Sequence, residues 1–139
     1  MAGRFLGEYQ HSLDAKGRVI LPARFRQILG TEAVLTTQND GCLAIWSPEE
    51  FEKKGDEMKA RESSGQEARN VARAFFADAN PFELTGQGRV NIPAHLIEYA
   101  GLGQNVSVNG NYDHIEIWDA ARWQEVKRAG SSGLATGEA

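Results

Sequence analysis

Apolar and polar residues alternate over residues 5–13 and again, more briefly, over 82–84, a period of two that predicts extended strands. Each stretch runs into a glycine-bearing turn, Asp14-Ala15-Lys16-Gly17 or Thr85-Gly86-Gln87-Gly88, where glycine supplies the positive φ that other residues avoid. The strands that follow, 18–21 and 89–92, send Val19/Leu21 and Val90/Ile92 to one side. Arg18/Ile20 and Arg89/Asn91 then face the other way. Pro22 and Pro93 stop these strands and suit the first position of a helix, and Gly30 and Gly101 suit the left-handed caps that would end it. Two hairpins come next: 33–38 with 42–46 across Asn39-Asp40-Gly41, and 105–109 with 115–118. Ser47-Pro48-Glu49-Glu50 is a capping box with proline inside the first turn, and Asp119 caps the corresponding later helix. After a linking Glu62-Ser63-Ser64-Gly65, Ala68, Val71, Ala72, Phe75, Phe76 and Ala79 form one apolar helical stripe. The Gly/Ser/Ala-rich residues 130–139 are expected to lack structure.

The same order of elements occurs twice because the chain repeats itself. At a constant offset of 71, residues 17–30 and 88–101 share six of fourteen identities: Gly, Arg, Val, Pro, Ala and the closing Gly. With residue frequencies of roughly 5–7%, fewer than about one match is expected by chance. At an offset of 72, Val34 matches Val106, Ile45-Trp46 matches Ile117-Trp118, and Phe51 falls on Trp123. A duplication sets the architecture before anything else does. A unit this small cannot cover its own apolar face, so two copies imply pseudo-two-fold packing of strands from both around one core. The helical insert between the copies then lies outside.

The 139 residues are 41% hydrophobic and 24% charged, an ordinary globular composition. No apolar run approaches the roughly 20 residues of a membrane span, so no membrane partner is expected. The single cysteine, Cys42, cannot form an internal disulfide, and Glu8 stands where a secretory leader would need its apolar core; a reduced, cytoplasmic setting is expected. The net charge of −4 argues at first against nucleic acid. Its distribution changes that: residues 1–30 carry Arg4, Lys16, Arg18, Arg24 and Arg26 against Glu8 and Asp14, a local +3. Screening beyond roughly 10 Å allows such a segment to act as a separate basic face.

Arg18 and Arg89 follow tight turns at strand starts and face away from the apolar row, where a guanidinium can bond both O6 and N7 of guanine. The alternative is that each is a structural partner of Asp14 or of a backbone carbonyl. Lys16, Arg24 and Arg26 suit phosphate contacts, which position without reading sequence, or an ordinary solvated face. Their counterparts in the second copy are Gln87, His95 and Ile97, so the first half should supply most of the electrostatic affinity. Gly17 and Gly88 support the two turns. Cys42, beside Leu43 and Ile45, reads as buried packing, and Trp46 and Trp118 at matching positions read as core pillars. His11, His95 and His114 have no companion cysteine at ligand spacing, so no metal is expected. No nucleophile elbow, phosphate loop or paired-carboxylate signature occurs, which gives no support to catalysis, a cofactor or a small-molecule substrate.

Phe5-Leu6-Gly7-Glu8-Tyr9, then Leu13-Asp14-Ala15-Lys16-Gly17-Arg18-Val19-Ile20-Leu21-Pro22, and later Ile115-Glu116-Ile117-Trp118 together resemble the MraZ family, relatives of the AbrB/SpoVT-type transcription factors. The resemblance runs over about residues 4–128. It implies an α+β, strand-rich fold: two AbrB-like, swapped-hairpin β units interlocked as a pseudo-two-fold, β-barrel-like core with short helices outside. The implied units are residues 4–62 and 82–128, with a helical linker at 63–81 and a disordered tail at 129–139. It also implies a nucleoid-associated regulator that binds double-stranded DNA. The target would be G-rich direct repeats upstream of the division and cell-wall gene cluster, engaged by a ring-shaped homo-oligomer. The family's D-x-x-x-R pattern falls on Asp14 and Arg18, with Lys16 between; the second copy keeps Arg89 but has Thr85 in place of the aspartate. A carboxylate there aims the guanidinium by a charge-assisted bond, and a threonine does so only weakly. Two alternatives are an AbrB-like antitoxin and an oligomeric scaffold without DNA binding.

Overall fold

The computed structural model describes residues 3–137. Within them, the strands are β1 (Glu8–Ser12), β2 (Arg18–Ile20), β3 (Glu32–Gln38), β4 (Cys42–Trp46), β5 (Asn80–Glu83), β6 (Arg89–Asn91), β7 (Asn105–Gly110) and β8 (Ile115–Asp119). The α-helices are α1 (Ala23–Leu29), α2 (Pro48–Ala60), α3 (Gln66–Ala77), α4 (Ala94–Ala100) and α5 (Ala120–Thr136).

Six strands form one antiparallel sheet in the order β1-β7-β8-β4-β3-β5. Read from either end, the order exchanges the two sequence repeats. The hairpins β3–β4 and β7–β8 meet at the centre, and each outer strand pairs with the hairpin of the other copy: β1 with β7, and β5 with β3. Equivalent backbone bonds continue both junctions, from the Leu13 N–H to the Gln104 carbonyl at 2.7 Å and from the Leu84 N–H to the Thr31 carbonyl at 2.8 Å. The two units are therefore interlocked, and neither contains its own complete sheet. The sheet is open: β1 and β5 are its edges, and the expected barrel closure is not seen. Instead β2 and β6, one from each copy, pair as a separate two-stranded ribbon.

The ribbon covers one face of the sheet. Val19, Leu21, Val90 and Ile92 from the ribbon, with Phe25 and Leu96 from α1 and α4, meet Leu35, Leu43, Ile45, Val106, Val108, Ile115 and Ile117 in one core. The opposite sheet face is covered too, which explains why β4 is buried at every position. There α2 and α3 pack through Phe51, Met58, Ala72, Phe75 and Phe76, and the buried Thr36 hydroxyl donates to the Phe75 carbonyl at 2.9 Å. Val71 of the expected apolar stripe stays exposed, whereas Ala72 and Phe75 of the same stripe are buried. Trp46 and Trp118 are buried, as core pillars should be, and desolvation of the buried Cys42 thiol pushes its pKa up.

Some boundaries differ from the sequence reading. Pro22 and Pro93 stand at the N-caps of α1 and α4, one position before the helix. The segment 63–81 holds α3 and also the first residues of β5. The tail expected to be disordered from residue 129 continues α5 to Thr136 and ends on a left-handed Gly137. The Thr136 hydroxyl bonds back to the Ser132 and Gly133 carbonyls, which supports the last turn that glycine and serine disfavour. Glu138 and Ala139 lie outside the described residues.

Candidate nucleic-acid interface

The ribbon register is Arg18↔Asn91, Val19↔Val90 and Ile20↔Arg89. Alternation along two such strands puts the central valine pair on one face and the remaining four side chains on the other. Val19 and Val90 are each 1% exposed, whereas Ile20 is 47% exposed and Arg89 and Asn91 are exposed. The valines pin the ribbon to the core, and the arginines are carried outward at diagonal corners of one small face.

The turns that launch the two strands are built into each other. The Ile92 N–H donates to the Gly17 carbonyl at 2.8 Å, and the Leu21 N–H donates to the Gly88 carbonyl at 3.0 Å. Both glycines are buried, with φ of +76° and +68°. A Cβ on Gly17 would lie 3.1 Å from the Ile92 carbonyl oxygen and 3.2 Å from Ile97 Cδ1. On Gly88 it would collide with Arg26 Cδ. Arg26 and Ile97 are matching repeat positions, so each covers the turn of the other copy.

In the first turn Asp14 organises the site. Its Oδ1 accepts the N–H groups of Lys16 and Arg18, both at 2.9 Å, and its Oδ2 accepts Arg18 Nε at 2.9 Å. The Arg18 N–H foremost, with the Arg18 guanidinium and the Lys16 N–H adding to it, holds the Asp14 carboxyl below its usual range. Because Nε is taken, the terminal nitrogens of Arg18 form the free edge of its guanidinium, and its side chain is 33% exposed. That edge carries the parallel donors needed for a bidentate acceptor. The second turn keeps the backbone geometry, with the Gly88 N–H on the Thr85 carbonyl at 2.9 Å. It lacks the carboxylate, and Arg89 instead donates to the Gln87 side-chain carbonyl.

The structure thus brings Lys16, Arg18 and Arg89 together on outward turn and ribbon positions, with Arg24 exposed on the first turn of the adjoining α1. Lys16 and Arg24 have no ion-pair partner among the described residues. Arg26 is placed differently: it is half-buried across the second turn, and its Nη1 lies 3.4 Å from the Gly86 carbonyl. Its charge is tied to the turn it supports. Three contributors were not singled out from sequence. Ile20 and Asn91 share the outward face, a placement that alternation alone already contained. Gln87 takes the orienting role of the missing aspartate two residues before Arg89, a spacing no familiar pattern signals.

Comparison with known proteins agrees with this arrangement of two copies. The family model described as "MraZ protein, putative antitoxin-like" matches twice, over residues 4–74 and 75–137. A protein of Acetivibrio thermocellus named transcriptional regulator MraZ is 42% identical over 120 residues, spanning 86% of this chain and 84% of its own. One of the same name from Heliobacterium modesticaldum is 41% identical over 121 residues, spanning 87% and 85%. With both units matched and relatives aligned along most of their length, the chain belongs to the MraZ family.

Proposed function

We infer that this chain is a sequence-specific DNA-binding transcriptional regulator that reads duplex DNA with the outward face of its β2–β6 ribbon. The observation that carries this reading is the placement of Arg18 and Arg89 at diagonal corners of one outward ribbon face, backed by a buried valine pair. A two-stranded ribbon fits the major groove, and a free guanidinium edge matches guanine O6 and N7. Lys16 and Arg24 flank that face and suit phosphates, which fix register without reading sequence. Arg26 acts through the second turn. The names of the two relatives support a role in transcription.

The resemblance extends the reading to G-rich direct repeats in the promoter of the division and cell-wall gene cluster, bound by a ring of identical subunits in the cytoplasm. Several weak contacts then act together, because each bound subunit raises the effective concentration of the next. This lets a chain with a net charge of −4 hold DNA through a local basic face.

Gel-shift titration with DNA upstream of the gene, against unrelated duplex of equal length, tests the reading. Wild type is expected to prefer the upstream DNA, and folded Arg18→Ala is expected to show a clearly weaker preference. Arg18→Ala protein that binds as tightly and as selectively as wild type would remove the site assignment. Light scattering during size-exclusion chromatography, with and without the DNA, tests the ring: a monomer under both conditions rules it out.

A further inference from the structure

The outward ribbon face holds four side chains, and only two of them obey the internal symmetry. The pseudo-two-fold passes through the Val19↔Val90 pair and exchanges Arg18 with Arg89 and Ile20 with Asn91. The first exchange conserves chemistry; the second replaces a branched hydrocarbon by a primary amide. Ile20 is 47% exposed directly opposite Arg89, so packing within the chain does not account for it. Asn91 is exposed opposite Arg18, and its amide has no hydrogen-bond partner among the described residues. Each arginine therefore has a different neighbour.

Those neighbours differ in what they can read. A carboxamide pairs with N6 and N7 of adenine, and an aliphatic side chain packs on the methyl group of thymine. Residues directly opposite across the ribbon have Cβ atoms about 5 Å apart. Two residues along a strand advance about 6.8 Å, close to two steps of about 3.4 Å along one DNA strand. The face thus spans only a few base pairs, with the two arginines at opposite corners. The asymmetry is reinforced behind the face, where Asp14 and Lys16 correspond to Thr85 and Gln87.

We propose that Ile20 and Asn91 are specificity-determining residues that break the two-fold symmetry of the ribbon, so that one chain reads a non-palindromic site. Asn91 selects adenine beside the guanine read by Arg18, and Ile20 selects thymine beside the guanine read by Arg89. The proposal rests on the ribbon being the DNA-reading surface.

Selection from a randomised duplex pool, followed by sequencing, tests it on the full chain as wild type, Asn91→Ala and Ile20→Asn, with circular dichroism confirming that each is folded. Wild type is expected to select a non-palindromic motif. Asn91→Ala should lose roughly tenfold discrimination at one base pair and leave the guanine preferences intact. Ile20→Asn makes the two halves alike at this position and should shift the motif toward a palindrome. If wild type selects a palindrome, or if neither variant alters any base preference while the guanine preferences persist, the proposal is overturned and the interface stands. If wild type enriches no motif and retains no duplex, the interface itself fails and the proposal falls with it.

Discussion

The orientation of the ribbon is open to a direct stability test, because its two faces sit in opposite environments. Val19 is 1% exposed and Ile20, its neighbour in the same strand, is 47% exposed. Val19→Ala removes two methyl groups from the core. At about 0.8 kcal/mol per buried carbon, transfer alone costs about 1.6 kcal/mol. Incomplete collapse of the cavity raises the total to about 2–3 kcal/mol. Ile20→Ala removes more carbon from a surface already in water and should cost below about 1 kcal/mol. Urea unfolding followed by tryptophan fluorescence reads the difference, since Trp46 and Trp118 are buried and become solvated on unfolding. With a slope of roughly 2 kcal/mol per molar, Val19→Ala should lower the midpoint by about 1 M, and Ile20→Ala by less than half of that. Val90→Ala should follow Val19→Ala. An Ile20→Ala shift equal to or larger than that of Val19→Ala would mean that the ribbon packs by the other face, with Arg18 and Arg89 turned inward.

Two further consequences concern the turns and the ionised core. Gly17→Ala and Gly88→Ala both place a side chain at positive φ and should each cost about 1–2 kcal/mol on that ground. The new methyl meets a backbone carbonyl in the first case and the flexible Arg26 stem in the second, so adding Arg26→Ala should recover stability only beside Gly88→Ala. Equal recovery at both glycines in thermal melts would refute the reciprocal packing. His114 is buried, stacked on Trp46 with ring centroids 4.4 Å apart, and its two ring nitrogens lie 2.6 Å from Asp113 Oδ1 and 2.8 Å from Glu116 Oε2. Burial pushes the imidazole pKa down, but hydrogen bonds and charge from Glu116 and Asp113 together outweigh it and leave the pKa above its ordinary 6.5. Burial likewise raises the Glu116 carboxyl, while bonds from His114, Trp118 and Asn111 outweigh it and hold that carboxyl below its ordinary 4.5. The His114 contribution is therefore complete below pH 6.5 and lost as pH rises through the raised value. The Glu116 contribution is present above pH 4.5 and lost as pH falls through the lowered one. The stability difference between wild type and His114→Gln should be larger at about pH 6 than at about pH 8.5. A difference that is constant or grows with pH contradicts the pairing.

Much of the local structure was legible because local chemistry writes it. The period of two over β2 and β6 assigned the faces of Arg18 and Val19, and Asn39-Asp40-Gly41 marked a hairpin that the structure contains as β3–β4. The duplication carried further still, since it required strands from both copies in one core. Which strands exchange was not legible. The pairings of β1 with β7 and of β5 with β3 join residues distant in sequence, and every outer strand could have satisfied its backbone in either copy. The same remoteness hid the role of Arg26, because nothing near it in sequence shows that its stem lies on Gly88. The tail misled because glycine and serine between residues 130 and 133 are weak helix formers. Anchoring at the other end of α5 outweighs them: Asp119 caps it, Arg122 reaches the Asp40 and Gly41 carbonyls, and Lys127 pairs with Glu8.

The outward ribbon face as the DNA-reading surface is tested most directly by fluorescence anisotropy of a labelled duplex titrated with protein at rising salt. Counterion release gives log K a slope of about −0.9 per neutralised phosphate. Wild type should therefore show a steep line, and Lys16→Ala a line shallower by about 0.9 with its base preferences unchanged. The Arg18→Ala/Arg89→Ala double variant should retain salt-dependent binding but bind upstream and unrelated duplexes equally. A flat salt response, or a double variant that still prefers the upstream duplex as strongly as wild type, would contradict the account.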